Sequence, residues 1–244
     1  MQEDFQRFNC QKKIDHLLIW SGLLILLIGS FSHIDIMIAD TMFDQADGQF
    51  MLPASRLAEA SGYQSFQYML AACAFAAMVL AAWDAWRPRS QLAPYRVALR
   101  VTAGSAILIP SAITLFSLLT ETVCPLDLQR YGGAEVYTRL LDDAPTKVAA
   151  TSCPPVRVAG HGWWILAVAV FWIPKSPRLA VSIGAMLFFC GLLAACVKQM
   201  QGVQFFSQTL WSAWIASYLV YFLYHLFTPD QAQSDTPLGS KEAG

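Results

Sequence analysis

Charge is what this chain has least of. Asp, Glu, Lys and Arg make up 14% of its 244 residues, against about 25% in an ordinary soluble domain. Six segments contain none of them: 17–34, 60–83, 101–120, 158–174, 179–197 and 199–229. Each is near or above the ~17–25 residues a helix needs to cross a bilayer core. Apolar residues run all round these segments, which speaks against a soluble bundle, where charge would gather on one face of each helix. The formal net charge is −1 and no long basic run occurs, so the chain carries no nucleic-acid footprint. His16, His33 and His225 have no ligand partners at metal-binding spacing, and no cofactor is expected.

What is there is apolar residue, 56% of the chain. The expectation is an all-α integral membrane protein with six transmembrane helices over about 17–34, 62–83, 101–120, 158–174, 179–197 and 205–227. A tail precedes them at 1–16, an outward loop spans 121–157, and 228–244, rich in Gln, Ser, Pro and Gly, is expected to be disordered. Arg7, Lys12 and Lys13 before the first span look like a signal peptide's basic region. The apolar run is long, however, and Gly29-Ser30-Phe31-Ser32-His33 offers no small-x-small cleavage site, so an uncleaved first helix is expected. Short-loop Lys and Arg, among them Arg87, Arg89, Arg96, Lys175 and Arg178, put both termini in the cytoplasm and the long loop outside. Between the first two spans, 35–59 mixes acidic and apolar residues and reads as interfacial helix and loop. Cys73, Cys190 and Cys196 fall within spans as small packing residues. Cys124 and Cys153 lie near the two ends of the outward loop, where an oxidising compartment would let them pair.

At that loop the sequence becomes specific. Cys124-Pro125-Leu126-Asp127-Leu128-Gln129-Arg130-Tyr131-Gly132-Gly133 is followed by Ala159-Gly160-His161, then by Gln201-Gly202-Val203-Gln204-Phe205-Phe206-Ser207-Gln208 and Leu210-Trp211-Ser212-Ala213. In order, spacing and position at span borders these runs resemble the bacterial membrane-bound type 2 phosphatidic acid phosphatases, in the branch marked C-P-x-D-L…Y-G-G. The resemblance extends over about 17–227. It implies a six-helix bundle of the phosphatidic acid phosphatase type 2 and haloperoxidase-like type, set in the bacterial inner membrane. A phosphate site would lie at the outer ends of spans three, four and six. In that family a His attacks phosphorus with an Asp orienting it, a second His protonates the leaving oxygen, and Lys and Arg bind the phosphate.

Carried over position by position, most of this machinery is missing. The first-motif Lys falls on Ser117 and the Arg-Pro pair on Cys124-Pro125. His161 keeps the place of the second-motif His. In the third motif the Arg falls on Lys198, or on Gln201 in an alternative placement, the nucleophile on Gln204 and its orienter on Gln208. A carboxamide has neither the nucleophilic lone pair nor the pKa to form a phospho-enzyme. The resemblance therefore implies a phosphatase-like pseudoenzyme, with Lys198 and Arg157 as candidate phosphate-binding residues and His161 as the one retained motif His. Bland readings stand beside these: His161 as a hydrogen-bonded structural residue, Lys198 as a snorkelling anchor, and Asp127 with Arg130 as a surface pair or cap. Gln201, Gln204 and Gln208 stand at i, i+3 and i+7, which would put them on one helix face turned into a polar pocket.

Three functions remain open at this point. The first is a non-hydrolytic membrane protein that binds a lipid phosphate head group or serves as accessory subunit to another membrane protein. The second is an active lipid phosphatase or phosphotransferase on phospholipid, lipid A or polyprenyl phosphate, necessarily through His161. The third is a transporter, to which Pro110 within span three lends a little support as a helix breaker.

Overall fold

The computed structural model describes residues 2–52, 61–88, 90–120, 123–137, 139 and 162–228. Its long helices are α1 (Gln2–Phe31), α3 (Ser61–Trp86), α4 (Arg96–Leu119), α5 (Pro177–Met200) and α6 (Phe206–Phe227). A short helix, α2 (Ile34–Met42), follows α1, and a ten-residue 3-10 helix covers Trp163–Trp172. Five stretches are long and apolar enough to cross a membrane: Gln11–Phe31, Ser65–Trp86, Ser90–Leu119, Pro177–Met200 and Phe206–Phe227. These are the features of a multi-pass, all-α membrane protein. Within the fourth expected span, 158–174, the described apolar helix is only Trp163–Trp172, and 158–161 lie outside the described residues.

α4 is the centre of the bundle. Its buried residues Ala98, Val101, Thr102, Ser105, Ile109 and Ile113 recur every three or four positions, which places them on one face. That face meets α6 and the 3-10 helix, whose Trp163, Trp164, Ala167 and Val170 are buried. Small residues bring the backbones close: Ser105, Ala167 and Ala216 have no exposed surface, and the Trp163 ring fills the space where a side chain at Gly191 would begin, at 2.7 Å. Pro110 does not break α4, which runs through it to Leu119. α5 begins in the way its sequence dictates, with Pro177 in the first turn and the Ser176 hydroxyl accepting from the Leu179 N–H. Cys73, Cys190 and Cys196 are free and exposed on the bundle's outside, so the expected packing role is corrected: their helices turn these positions away from the core.

The two ends of the bundle differ. At one end Asp84, almost fully buried, receives the Arg96 Nε at 2.7 Å, joining the last turn of α3 to the first of α4. On the same side Tyr221 of α6 donates to Asp15 of α1 at 2.7 Å. The other end carries a cap made from three separate pieces of chain. The first is a hairpin pairing Phe43 with Phe50 and Asp44 with Gln49, where a loop was expected. Its turn is set by Asp44, whose Oδ1 accepts the Ala46 N–H, and by Gly48 at φ +62°. The second piece is 123–137, with short 3-10 turns at Pro125–Asp127 and Gln129–Tyr131. The third is the turn between α5 and α6. Ala39, Phe50, Val123, Leu128, Tyr131 and Phe205 form the cap's apolar core.

Candidate functional site

The α5–α6 turn is where three of the predicted site residues meet the structure. Gly202, at φ +69°, takes the left-handed conformation that ends a helix. Its N–H bonds the Gln199 carbonyl, and the Val203 N–H bonds that of Lys198. Gln201 is thus the cap of α5, Gln204 lies in the turn, and Gln208 lies in the first turn of α6. The expectation that all three share one helix face is corrected, because glycine breaks the helix between them. All three are nevertheless buried. Gly202 is doubly constrained, since a Cβ there would meet the Phe50 ring at 2.5 Å.

The N-terminus of α6 is closed by an acid from α2. Asp35 Oδ1 accepts the Ser207 N–H at 2.8 Å and Oδ2 accepts the Ser207 hydroxyl at 2.5 Å. The two Ser207 donors and the positive helix end compensate the charge, yet burial outweighs them and raises the Asp35 pKa above its ordinary value. Gln208 completes the cap by accepting the Phe205 N–H on Oε1 at 3.0 Å. Its Nε2 has no partner.

Beside this helix end lies a small, open cavity of about 40 Å3. Ser117, Phe116 and Ile113 of α4, Trp211 and Ser212 of α6, Gly29 of α1, and Asp35, Tyr137, Arg139 and Gln208 are among its walls. Two buried N–H groups of the lining residues, Gln208 Nε2 and Trp211 Nε1, have no partner among the described residues. Gln208 is only 7% exposed, so its unmade bonds are costly to the empty protein. Arg139 brings a guanidinium, held with Nη2 2.6 Å from His33 Nε2. A polar region of mixed character thus adjoins apolar walls from three long helices.

Of the predicted site residues, Ser117 and Gln208 line this cavity, while Gln204 and Lys198 are not among its walls. Gln204 is 3% exposed with its own Nε2 unpaired. Lys198 sits half-buried in the last turn of α5 and has no ion-pair partner among the described residues. His161, Arg157 and Cys153 lie outside the described residues. Cys124 is disulfide-bonded. Among the described residues no cluster of three His, Cys, Asp or Glu could hold a metal.

The C-P-x-D-L…Y-G-G run has a structural task in the cap. Gly133 approaches Asp127 so closely that a Cβ would lie 2.1 Å from its carbonyl oxygen, and Gly132 has φ +91°. Tyr131 packs its ring tilted against Phe43 and edge-on to Phe50 and donates its hydroxyl to Asp40 at 2.9 Å. Arg130 does not pair with Asp127, as the sequence allowed. It makes a two-pronged bond to Asp40, at 2.7 and 2.8 Å, which holds the Asp40 pKa below its ordinary value. Burial, with the negative Asp40 beside it, raises the Tyr131 pKa.

Sequence reasoning missed Asp35, Arg139 and the N–H of Trp211 as parts of one site. No local signal marks Asp35 as the cap of a helix that begins 171 positions later. No family model, curated protein or solved structure matches the chain.

Proposed function

We propose that this chain is a membrane lipid-binding protein on the plan of the type 2 phosphatidic acid phosphatases, holding the polar head of a lipid without hydrolysing it. One observation carries the reading: a cavity with apolar walls from membrane-spanning helices is lined by Gln208 and Trp211, whose buried side-chain N–H groups have no partner among the described residues. Such a surface fits an amphiphile whose tail follows the spans and whose head reaches the cap. The loss of hydrolysis rests on Gln204 and Gln208, where the resemblance calls for a nucleophilic His and its Asp.

On this reading the chain crosses the membrane six times, with Trp163–Trp172 as the described part of the fourth crossing. Both termini are cytoplasmic, the cap faces outward, and Cys124 pairs with Cys153. The disulfide is tested by a non-reducing gel, in which Cys124→Ser and Cys153→Ser should each abolish the same mobility shift. The partner is lipid, and a role as accessory subunit follows if that lipid is handed to another membrane protein.

The active-phosphatase reading requires His161. The test is phosphate release by the purified protein from phosphatidic acid, undecaprenyl pyrophosphate and lipid A. No turnover is expected. Turnover in the wild type that disappears in His161→Ala would overturn the non-hydrolytic reading.

A further inference from the structure

The cavity's charge balance specifies what kind of head group fits. A phosphate monoester brings about −1.5 to −2 charges at neutral pH and is best received by a helix N-terminus with free N–H groups. Here the Ser207 N–H already bonds a carboxylate of the protein, Asp35, which also takes the Ser207 hydroxyl. The position an anion would occupy therefore holds a fixed, buried acid. Among the described residues the cavity's walls carry one other charged group, Arg139, which lies against His33. A dianion would meet the acid's repulsion at the helix end and, among the described walls, gain one cation.

The remaining polar groups have the opposite preference. Gln208 Nε2 and Trp211 Nε1 are neutral donors lacking acceptors, and they suit the carbonyl oxygens of carboxylic esters. Asp35 accepts two bonds of the roughly four that a carboxylate can take, which leaves acceptor capacity for a hydroxyl donor.

We propose that the cavity selects an uncharged lipid head bearing ester carbonyls and a free hydroxyl, and that Asp35 acts as a built-in anion that excludes phosphate monoesters. This rests on the lipid-binding reading and sharpens it. The ester carbonyls accept from Gln208 and Trp211, the hydroxyl donates to Asp35, and the acyl chains leave along Ile113 and Phe116.

The decisive comparison uses dioleoylglycerol and dioleoyl phosphatidic acid, which share acyl chains and differ only in the phosphate. Full-length protein in detergent micelles is offered both lipids in competition, and retention is read by native mass spectrometry. The wild type should retain dioleoylglycerol at least ~10-fold over phosphatidic acid, about what one buried hydrogen bond to a charged group contributes. Asp35→Asn should narrow or reverse that ratio. Gln208→Glu keeps the oxygen that caps α6 and replaces the N–H2 donor by a carboxylate. It should weaken dioleoylglycerol retention about tenfold whether or not the Asp35 variant folds. Equal or tighter retention of phosphatidic acid by the wild type overturns the head-group assignment and leaves lipid binding standing. Retention of neither lipid overturns both.

Discussion

The membrane-spanning bundle and the cap on one end of it are held together by different means. In the bundle, contacts are apolar and close: Ile109, Ala167 and Ala216 are fully buried, and the helices satisfy their own backbones. In the cap, chain segments far apart in sequence exchange backbone bonds, Leu52 to Met200 at 3.1 Å and Leu126 to Gly202 at 2.8 Å. Charged and polar side chains then fix the fit, through Asp40 with Arg130 and Tyr131, and Asp35 with Ser207. The bundle depends on side-chain volume, whereas the cap depends on backbone conformation and on particular hydrogen bonds. Substitutions of one kind should therefore behave differently in the two regions.

Glycine gives the sharpest contrast. Gly133→Ala places a methyl group against the Asp127 carbonyl, which is backbone and cannot step aside, and should cost about 3 kcal/mol or more. Gly104→Ala in α4 meets the ends of the Leu223 and Phe227 side chains, at 3.3 Å and beyond, and no backbone. It should be neutral, or stabilising by up to ~1 kcal/mol through helix propensity. Thermal unfolding in one detergent measures both, and an equal loss from the two would erase the distinction.

Acid should separate the two aspartates of α2, next in size of effect. Asp40 has a pKa lowered from 3.8 when folded. Its contribution is complete above 3.8 and disappears as pH falls through the folded value. Asp35 has a pKa raised from 3.8, so the folded state takes up its proton first. Stability from this group grows as pH falls through the raised value and levels off below 3.8. Melting curves across pH 3 to 7 should show Asp40→Asn removing an acid-induced loss and Asp35→Asn removing an acid-induced gain. The same sign for both variants would refute the assignment.

The smallest effect is expected at Arg130. The pair with Asp40 is geometrically good but solvent-exposed, and such pairs contribute little. Arg130→Ala should lower the melting temperature only slightly near neutral pH and reduce the acid sensitivity assigned to Asp40 by the same small amount, leaving the part that Tyr131 contributes. A large drop in melting temperature would mean that the cap depends on its surface after all.

Legibility in the sequence follows the same division. Membrane crossing is a property of composition along a continuous stretch, so the charge-free segments could be read directly. Their ends depend on caps, and α1 and α4 begin earlier than the apolar runs, at Gln2 and Arg96. The cap is non-local. Asp47-Gly48 between Phe43 and Phe50 was a readable hairpin signal, and Gly202 beyond an apolar helix was a readable stop, which would have prevented three glutamines from being placed on one face. Nothing near Asp35 names Ser207 as its partner, and nothing near Arg130 names Asp40. The motif Tyr131-Gly132-Gly133 drew attention as a mark of chemistry. In the structure it supplies an aromatic wedge, a positive φ and a close backbone approach.

The contact between Phe50 and Gly202 sets an order of events during biosynthesis. The hairpin that carries Phe50 is made early, while the turn that receives it appears only after α5 has been synthesised. Until then the aromatic face of Phe43, Phe50 and Tyr131 has no lid from the α5–α6 turn. The cap thus closes only once α5 is complete, and chains interrupted before Gly202 would leave the ribosome with that face open to proteases and chaperones.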